Sequence, residues 1–258
     1  MNAVPASSAS AASYRPLLEV SELSAGYDRG AVLRDVQLEL RVGEWLVMVG
    51  PNGTGKTTLL YCIAGLLQPL HGEICIEGVS LTKNPVAAKR ALGFGCAPER
   101  LPPLLTGWQC LQVHAAARQL DELDAELIAL AETFGIIPRL DEFVDAYSTG
   151  TRQKLAVLLA LVGQPRLLVL DEAFNGLDPA SALALKQHLR ERVNAGRAGV
   201  LLATHALDIV ERYADRAILL LGGQVVREWR SIEIAELRAS AQGFEGAMAA
   251  AAAQTPQS

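Results

Sequence analysis

The segment Gly50-Pro51-Asn52-Gly53-Thr54-Gly55-Lys56-Thr57 constrains this chain more than any other. It fits G-x-x-x-x-G-K-[S/T] and lies between an apolar run, LVMVG, and a helix-forming run, TTLLYCIAGLL. A strand that turns through glycines into a helix points successive backbone N–H groups inward. It also sets the positive end of the helix dipole beside them, so the turn is a cradle for phosphate. Lys56 is placed to reach the β and γ phosphates of a nucleotide, and Thr57 offers a hydroxyl to Mg2+. Gly50, Asn52, Gly53, Thr54, Gly55 and Thr58 complete the cradle. The alternative, a chance glycine turn, is disfavoured by the strand before it and the helix after it.

The rest of the chain fits the same architecture. Residues 167–170 before Asp171 and 200–203 before His205 are continuous apolar runs, the pattern of strands buried on both faces of a parallel sheet. Val36, Leu38 and Leu40 alternate with Gln37, Glu39 and Arg41, the period of a half-buried strand. Leu127, Leu130, Ala131 and Phe134 follow i, i+3, i+4, i+7 inside residues 107–147, where no strand pattern intervenes. The expected class is α/β: a parallel-sheet core with an N-terminal antiparallel β part and a helical subdomain inserted at about 100–160, all within 16–245. Residues 1–15 and 246–258 are rich in Ala, Ser, Pro and Gln, offer no periodic apolar face, and read as disordered tails.

Charge and composition exclude other classes. With 23 Lys+Arg against 28 Asp+Glu the net charge is −5, and no basic run reaches five residues, so the long-range attraction that holds nucleic acid is missing. Half the 258 residues are hydrophobic, enough for a large core. No apolar run approaches the roughly 18 residues of a membrane span, and the N-terminus lacks the basic start and apolar stretch of a secretory signal. The expectation is a cytoplasmic protein. Cys62, Cys75, Cys96 and Cys110 form no C-x-x-C pair and read as isolated reduced thiols. Residues 118–145 hold eight acids against Arg118 and Arg139, which reads as a solvated face, with a docking face as the alternative.

Asp171 and Glu172 end a buried strand, on the edge where α/β sheets bind ligands. Asp171 suits the shell of Mg2+. Glu172 suits accepting the proton of an attacking water, the alternative being a carboxylate favoured by a helix N-terminus. His205 ends another apolar run, LLATH, 34 residues after Asp171. Beside the phosphate loop and the acid pair it reads as a partner of the γ-phosphate or of Glu172; alone it would read as structural.

These features, with Tyr147-Ser148-Thr149-Gly150-Thr151-Arg152-Gln153 ahead of a helix and upstream of LLVLDEAFNGLD, resemble the ATP-binding cassette (ABC) family over about residues 17–230. In itself Ser148 is an N-cap candidate, and the Gly150 amide permits close approach of an anion. The resemblance implies a P-loop NTPase fold of ABC type that hydrolyses ATP with Mg2+. It also implies two cassettes face to face, each ATP lying between the phosphate loop of one and the signature loop at Ser148 and Gly150 of the other. The chain would then act as a homodimer or with a paired cassette. Residues 175–178 resemble the loop that crosses this seam, although Asp178 before Pro179 reads equally as a helix N-cap. Tyr27 in SAGYDRG matches the aromatic that stacks on adenine, with a core tyrosine as the alternative.

Two positions depart from the family pattern. Glu99 stands where glutamine is usual, still a ligand for Mg2+ but with added negative charge, and Thr149 replaces the first signature glycine. By resemblance, both variants point to export cassettes. The implied function is the ATP-hydrolysing subunit of a transporter, peripheral on the inner face of the cell membrane and coupled to a separate polytopic subunit. A soluble ATPase acting on ribosomes or nucleic acid is the alternative, disfavoured by the single cassette and the lack of a basic stripe.

Overall fold

The computed structural model describes residues 15–28 and 30–254. The chain opens with β1 (Leu18–Tyr27), β2 (Gly30–Leu40), β3 (Trp45–Val49), α1 (Lys56–Ile63), β4 (His71–Ile76), β5 (Val79–Ser80), α2 (Pro85–Lys89) and β6 (Leu92–Gly95). Three helices follow, α3 (Gly107–Ala117), α4 (Ala125–Thr133) and α5 (Thr149–Leu161). The chain then returns to alternation with β7 (Leu167–Asp171), α6 (Pro179–Asn194), β8 (Gly199–Ala203), α7 (Leu207–Tyr213), β9 (Arg216–Leu221), β10 (Gln224–Arg230), α8 (Ser231–Ala239) and α9 (Gly243–Gln254).

Among the described residues the strands form two sheets. One runs β2-β1-β4-β5 and is antiparallel; the other runs β10-β9-β3-β8-β7-β6 and is parallel except for the β9–β10 pair. This is the expected α/β class with an antiparallel N-terminal part. Strand β3 shows why the central sheet is buried on both faces. Trp45, Val47 and Val49 pack with α5 and α6 through Leu155, Leu158, Leu185 and Leu189, while Leu46 and Met48 pack with Leu59 of α1 and with Leu18 and Leu33 of the antiparallel sheet. Alternate residues thus serve two cores, and no polar face is needed. Leu127, Leu130 and Ala131 of α4 are buried, as is Phe134, its C-cap.

Parallel register aligns the strand ends that matter. Ala203 of β8 stands opposite Met48 of β3 on one side and Asp171 of β7 on the other. The residues just beyond, Gly50, Glu172 and His205, therefore emerge together at the carboxyl edge of the sheet.

The expected C-terminal tail needs correction. Residues 246–254 continue helix α9; residues 1–14 and 255–258, which share the tail expectation, lie outside the described residues. Alanine has the highest helix propensity, so an alanine-rich tract needs only an anchor to become a docked helix. Phe244 is that anchor. It is fully buried, its ring meets Trp229 edge-on at 4.9 Å between centroids, and its N–H donates to Glu211 Oε1 at 3.3 Å. Phe244→Ala is expected to cost about 3 kcal/mol and to release α9 first. Amide exchange across 243–254 should rise while β3 and β8 stay protected; unchanged protection there would remove Phe244 from the anchoring role.

The cysteines are free thiols: Cys62 and Cys110 are buried, Cys75 and Cys96 half-buried. Burial pushes the Cys62 thiol up to about 11, which makes it a poor nucleophile.

Candidate active site

The phosphate loop is held open by its own glycines. Gly50 and Gly55 sit at φ +152° and +106°; a Cβ would run into Leu220 O at the first and lie 2.6 Å from Leu33 Cδ2 at the second. A side chain at either position would strain the backbone, and at Gly50 it would also meet a main-chain oxygen. Gly55 is also the N-cap of α1, and here α1 differs from α2 through α6: those five helices each have a side-chain cap, whereas α1 has none and carries no acid in its first turn. Its leading N–H groups are left for an anion.

Lys56, buried, curls back over the loop and donates from Nζ to Gly50 O at 2.6 Å and Pro51 O at 3.0 Å. Burial lowers its pKa from the ordinary lysine value, against the pull of the Glu172 and Asp171 carboxylates. Thr57 Oγ1 donates to Asp171 Oδ2 at 2.8 Å. A hydroxyl and a carboxylate at that spacing are hard oxygen donors of the kind Mg2+ takes, and they fit the ion.

Glu172 and His205 meet across this loop. His205 Nε2 lies 3.4 Å from Glu172 Oε1, 2.8 Å from Asn52 Oδ1 and 3.5 Å from Lys56 Nζ. Glu172 Oε1 is buried and accepts no hydrogen bond, an oxygen available to a proton donor. A cleft of about 330 Å3 joins Asn52, Gly53, Gly55, Lys56, Thr57, Thr58, Glu172 and His205.

Other expected site residues lie elsewhere. Tyr27 ends β1 with 52% of its surface exposed, so it is not a core tyrosine. Ser148 caps α5, accepting from Thr151 N at 3.2 Å, and Gly150 lies in the first turn of that helix; neither lines the cleft. Glu99 is exposed on a short 3-10 turn, Pro98–Arg100, and lines no part of the cleft with Thr57. Asp178 is occupied within its own chain. It caps α6 by accepting from Ser181 N and Oγ at 2.9 and 2.7 Å, and it pairs with Lys154 Nζ at 2.6 Å. These bonds, that from Lys154 foremost, hold its carboxyl well below the usual range. Within its own chain Asp178 makes the contacts of a helix N-cap.

The sequence profile of the ABC transporter family matches residues 33–175. The chain belongs to the ABC transporter family. Its ABC relatives include the uncharacterized ATP-binding protein YdbJ of Bacillus subtilis, 34% identical over 213 residues that cover 83% of this chain and 69% of that one. The lipopolysaccharide export ATP-binding protein LptB of Acidithiobacillus ferridurans is 29% identical, covering 85% and 92%. A solved ATP-binding subunit of an ABC transporter superposes with a TM-score of 0.77 at 35% identity, covering 86% of this chain and 92% of that one. The present chain is accordingly an ABC ATP-binding subunit, an ATPase that uses Mg2+.

Thr204 and Val32 are neighbours of the site without a role assigned from sequence, and Gln153, part of the signature segment, gains a contact. Thr204 precedes His205 in LLATH and contacts Glu172, a position visible in the motif once the histidine is noticed. Gln153, buried, donates from Nε2 to Ala173 O at 3.0 Å and ties the signature helix α5 to the segment after Glu172. Val32 lines the cleft from β2, and nothing in its local sequence marks it.

Proposed function

We propose that this chain is the energy-coupling half of an exporter, acting as a homodimer on a separate polytopic membrane subunit at the inner face of the cell membrane. The observation that carries the reading is the composition of the cleft. Lys56, Thr57, Glu172 and His205 share it, with Asp171 bonded to Thr57, while Ser148 caps a different helix and Gly150 lies in that helix's first turn. A phosphate site without its signature half is completed by a second cassette.

In this reading Lys56 and the uncapped N–H groups of α1 bind the β and γ phosphates. Thr57 and Asp171 would hold Mg2+, which supplies charge neutralisation at the phosphate oxygens. Glu172 Oε1 takes a proton from the attacking water as its oxygen bonds to the γ phosphorus. The bond from that phosphorus to the β–γ bridging oxygen breaks, and ADP and phosphate leave. His205, placed between Asn52 and Glu172, orients the γ-phosphate.

No helix among the described residues is long and apolar enough to cross a membrane, and the reading assigns the transport path to the partner. LptB, whose name states export, supports the direction, as do the Glu99 and Thr149 variants. Cell fractionation tests the assignment: a tagged chain should sediment with membranes, co-purify in detergent with a polytopic protein and be released by alkaline washing. Recovery on ribosomes or nucleic acid instead would favour the soluble ATPase.

A further inference from the structure

A carboxylate offers two oxygens, and its terminal torsion is broad and two-fold. A glutamate serving as base therefore gains from neighbours that make one oxygen different from the other. Two donors around Glu172 do this. Thr204 Oγ1 accepts the Ala206 N–H at 3.1 Å, which turns the hydroxyl proton away from its own loop and toward Glu172 Oε2 at 3.2 Å. Asn175 Nδ2 donates to the same Oε2, also at 3.2 Å.

The other oxygen, Oε1, is left buried, with no hydrogen bond and with His205 Nε2 at 3.4 Å. The main chain adds to the restraint. Glu172 sits at φ +47°, in the left-handed region, and its N–H is bonded to Ala203 O at 2.9 Å. Thr204 is almost completely buried, whereas Asn175 is exposed, so the two donors reach Oε2 from opposite environments.

We infer that Thr204 and Asn175 are positioning residues that hold Glu172 by Oε2 and reserve Oε1 for the proton of the attacking water. This rests on the assignment of Glu172 as the base. Neither residue lines the nucleotide cleft of its own chain, and each meets Glu172 directly. Losing one hydrogen bond to a charged group corresponds to a rate loss of roughly tenfold or more.

The test compares steady-state turnover and fluorescent-nucleotide binding in Thr204→Val, Thr204→Ser, Asn175→Ala and Glu172→Gln. The expected pattern is a kcat about tenfold lower in Thr204→Val and in Asn175→Ala, with KM and nucleotide Kd within twofold of the parent. Thr204→Ser, which keeps the hydroxyl, should recover most of the rate. Equal losses in Thr204→Val and Thr204→Ser would mean that Thr204 acts by packing, and would overturn its part. Parental kcat in both Thr204→Val and Asn175→Ala beside an inactive Glu172→Gln would overturn the positioning role while leaving the base in place. Parental turnover in Glu172→Gln removes the base itself. Should the buried Thr204→Val fail to fold, the exposed Asn175→Ala carries the same test provided that its ATP-dependent dimer mass by light scattering is parental; a lost dimer would place Asn175 at the seam and overturn its part.

Discussion

Glu172→Gln should bind ATP with parental affinity and lose turnover by about 10²–10⁴-fold, the usual contribution of a positioned general base. Glutamine keeps the shape of the side chain, and the bonds at Oε2 from Thr204 and Asn175 have an acceptor to meet if the amide oxygen takes that place. What it loses is the basic oxygen facing His205. The phosphate cradle of Lys56 and the α1 amides is untouched, so the block falls after binding. A dimer that closes on ATP and reopens on hydrolysis is then held closed, and light scattering with Mg2+ and ATP should give twice the monomer mass. Parental turnover would take the base role from Glu172. Lost turnover with a persistent monomer would reject the homodimer and leave a paired, different cassette as the partner.

The parts of this assembly legible in the sequence are those fixed by short-range pattern. The runs at 167–170 and 200–203 announce buried parallel strands because both faces of β7 and β8 are covered, and the loop at 50–57 announces its cradle because glycine and lysine spacing is the mechanism itself. Long-range pairing is a different matter. Asn52 and His205 are 153 positions apart, and only the register of β3 and β8 brings them to 2.8 Å. Asp178 carried two readings because capping and seam-crossing ask for the same residue before a proline. Lys154, on another helix, adds an ion pair to the cap that the local sequence does not announce. The alanine-rich C-terminus hides its helix for a compositional reason: it carries no broad apolar stripe, and α9 docks through Phe244 with Ala247, Met248 and Ala251.

Lys56→Ala should weaken ATP binding by about 2 to 3 kcal/mol, roughly 30- to 150-fold in Kd, the value of a charge-assisted hydrogen bond to phosphate in a partly dry site. The ammonium is already desolvated, which lowers its pKa, and its bonds to Gly50 O and Pro51 O only partly offset that cost. A phosphate, carrying full negative charge, is the stronger partner, so nucleotide gains most from a lysine held in this way. Removing it eliminates a buried charge as well as two carbonyl bonds, and the nucleotide-free variant is expected to melt cooperatively, near the parent. The rise in Tm that saturating ATP produces in the parent should then largely vanish, because that rise reports differential binding to the folded state. Lys56→Arg should fail as well: a planar guanidinium does not fit where Nζ approaches Gly50 O at 2.6 Å. A full ATP-dependent Tm shift in Lys56→Ala would mean that the α1 amides alone hold the phosphates.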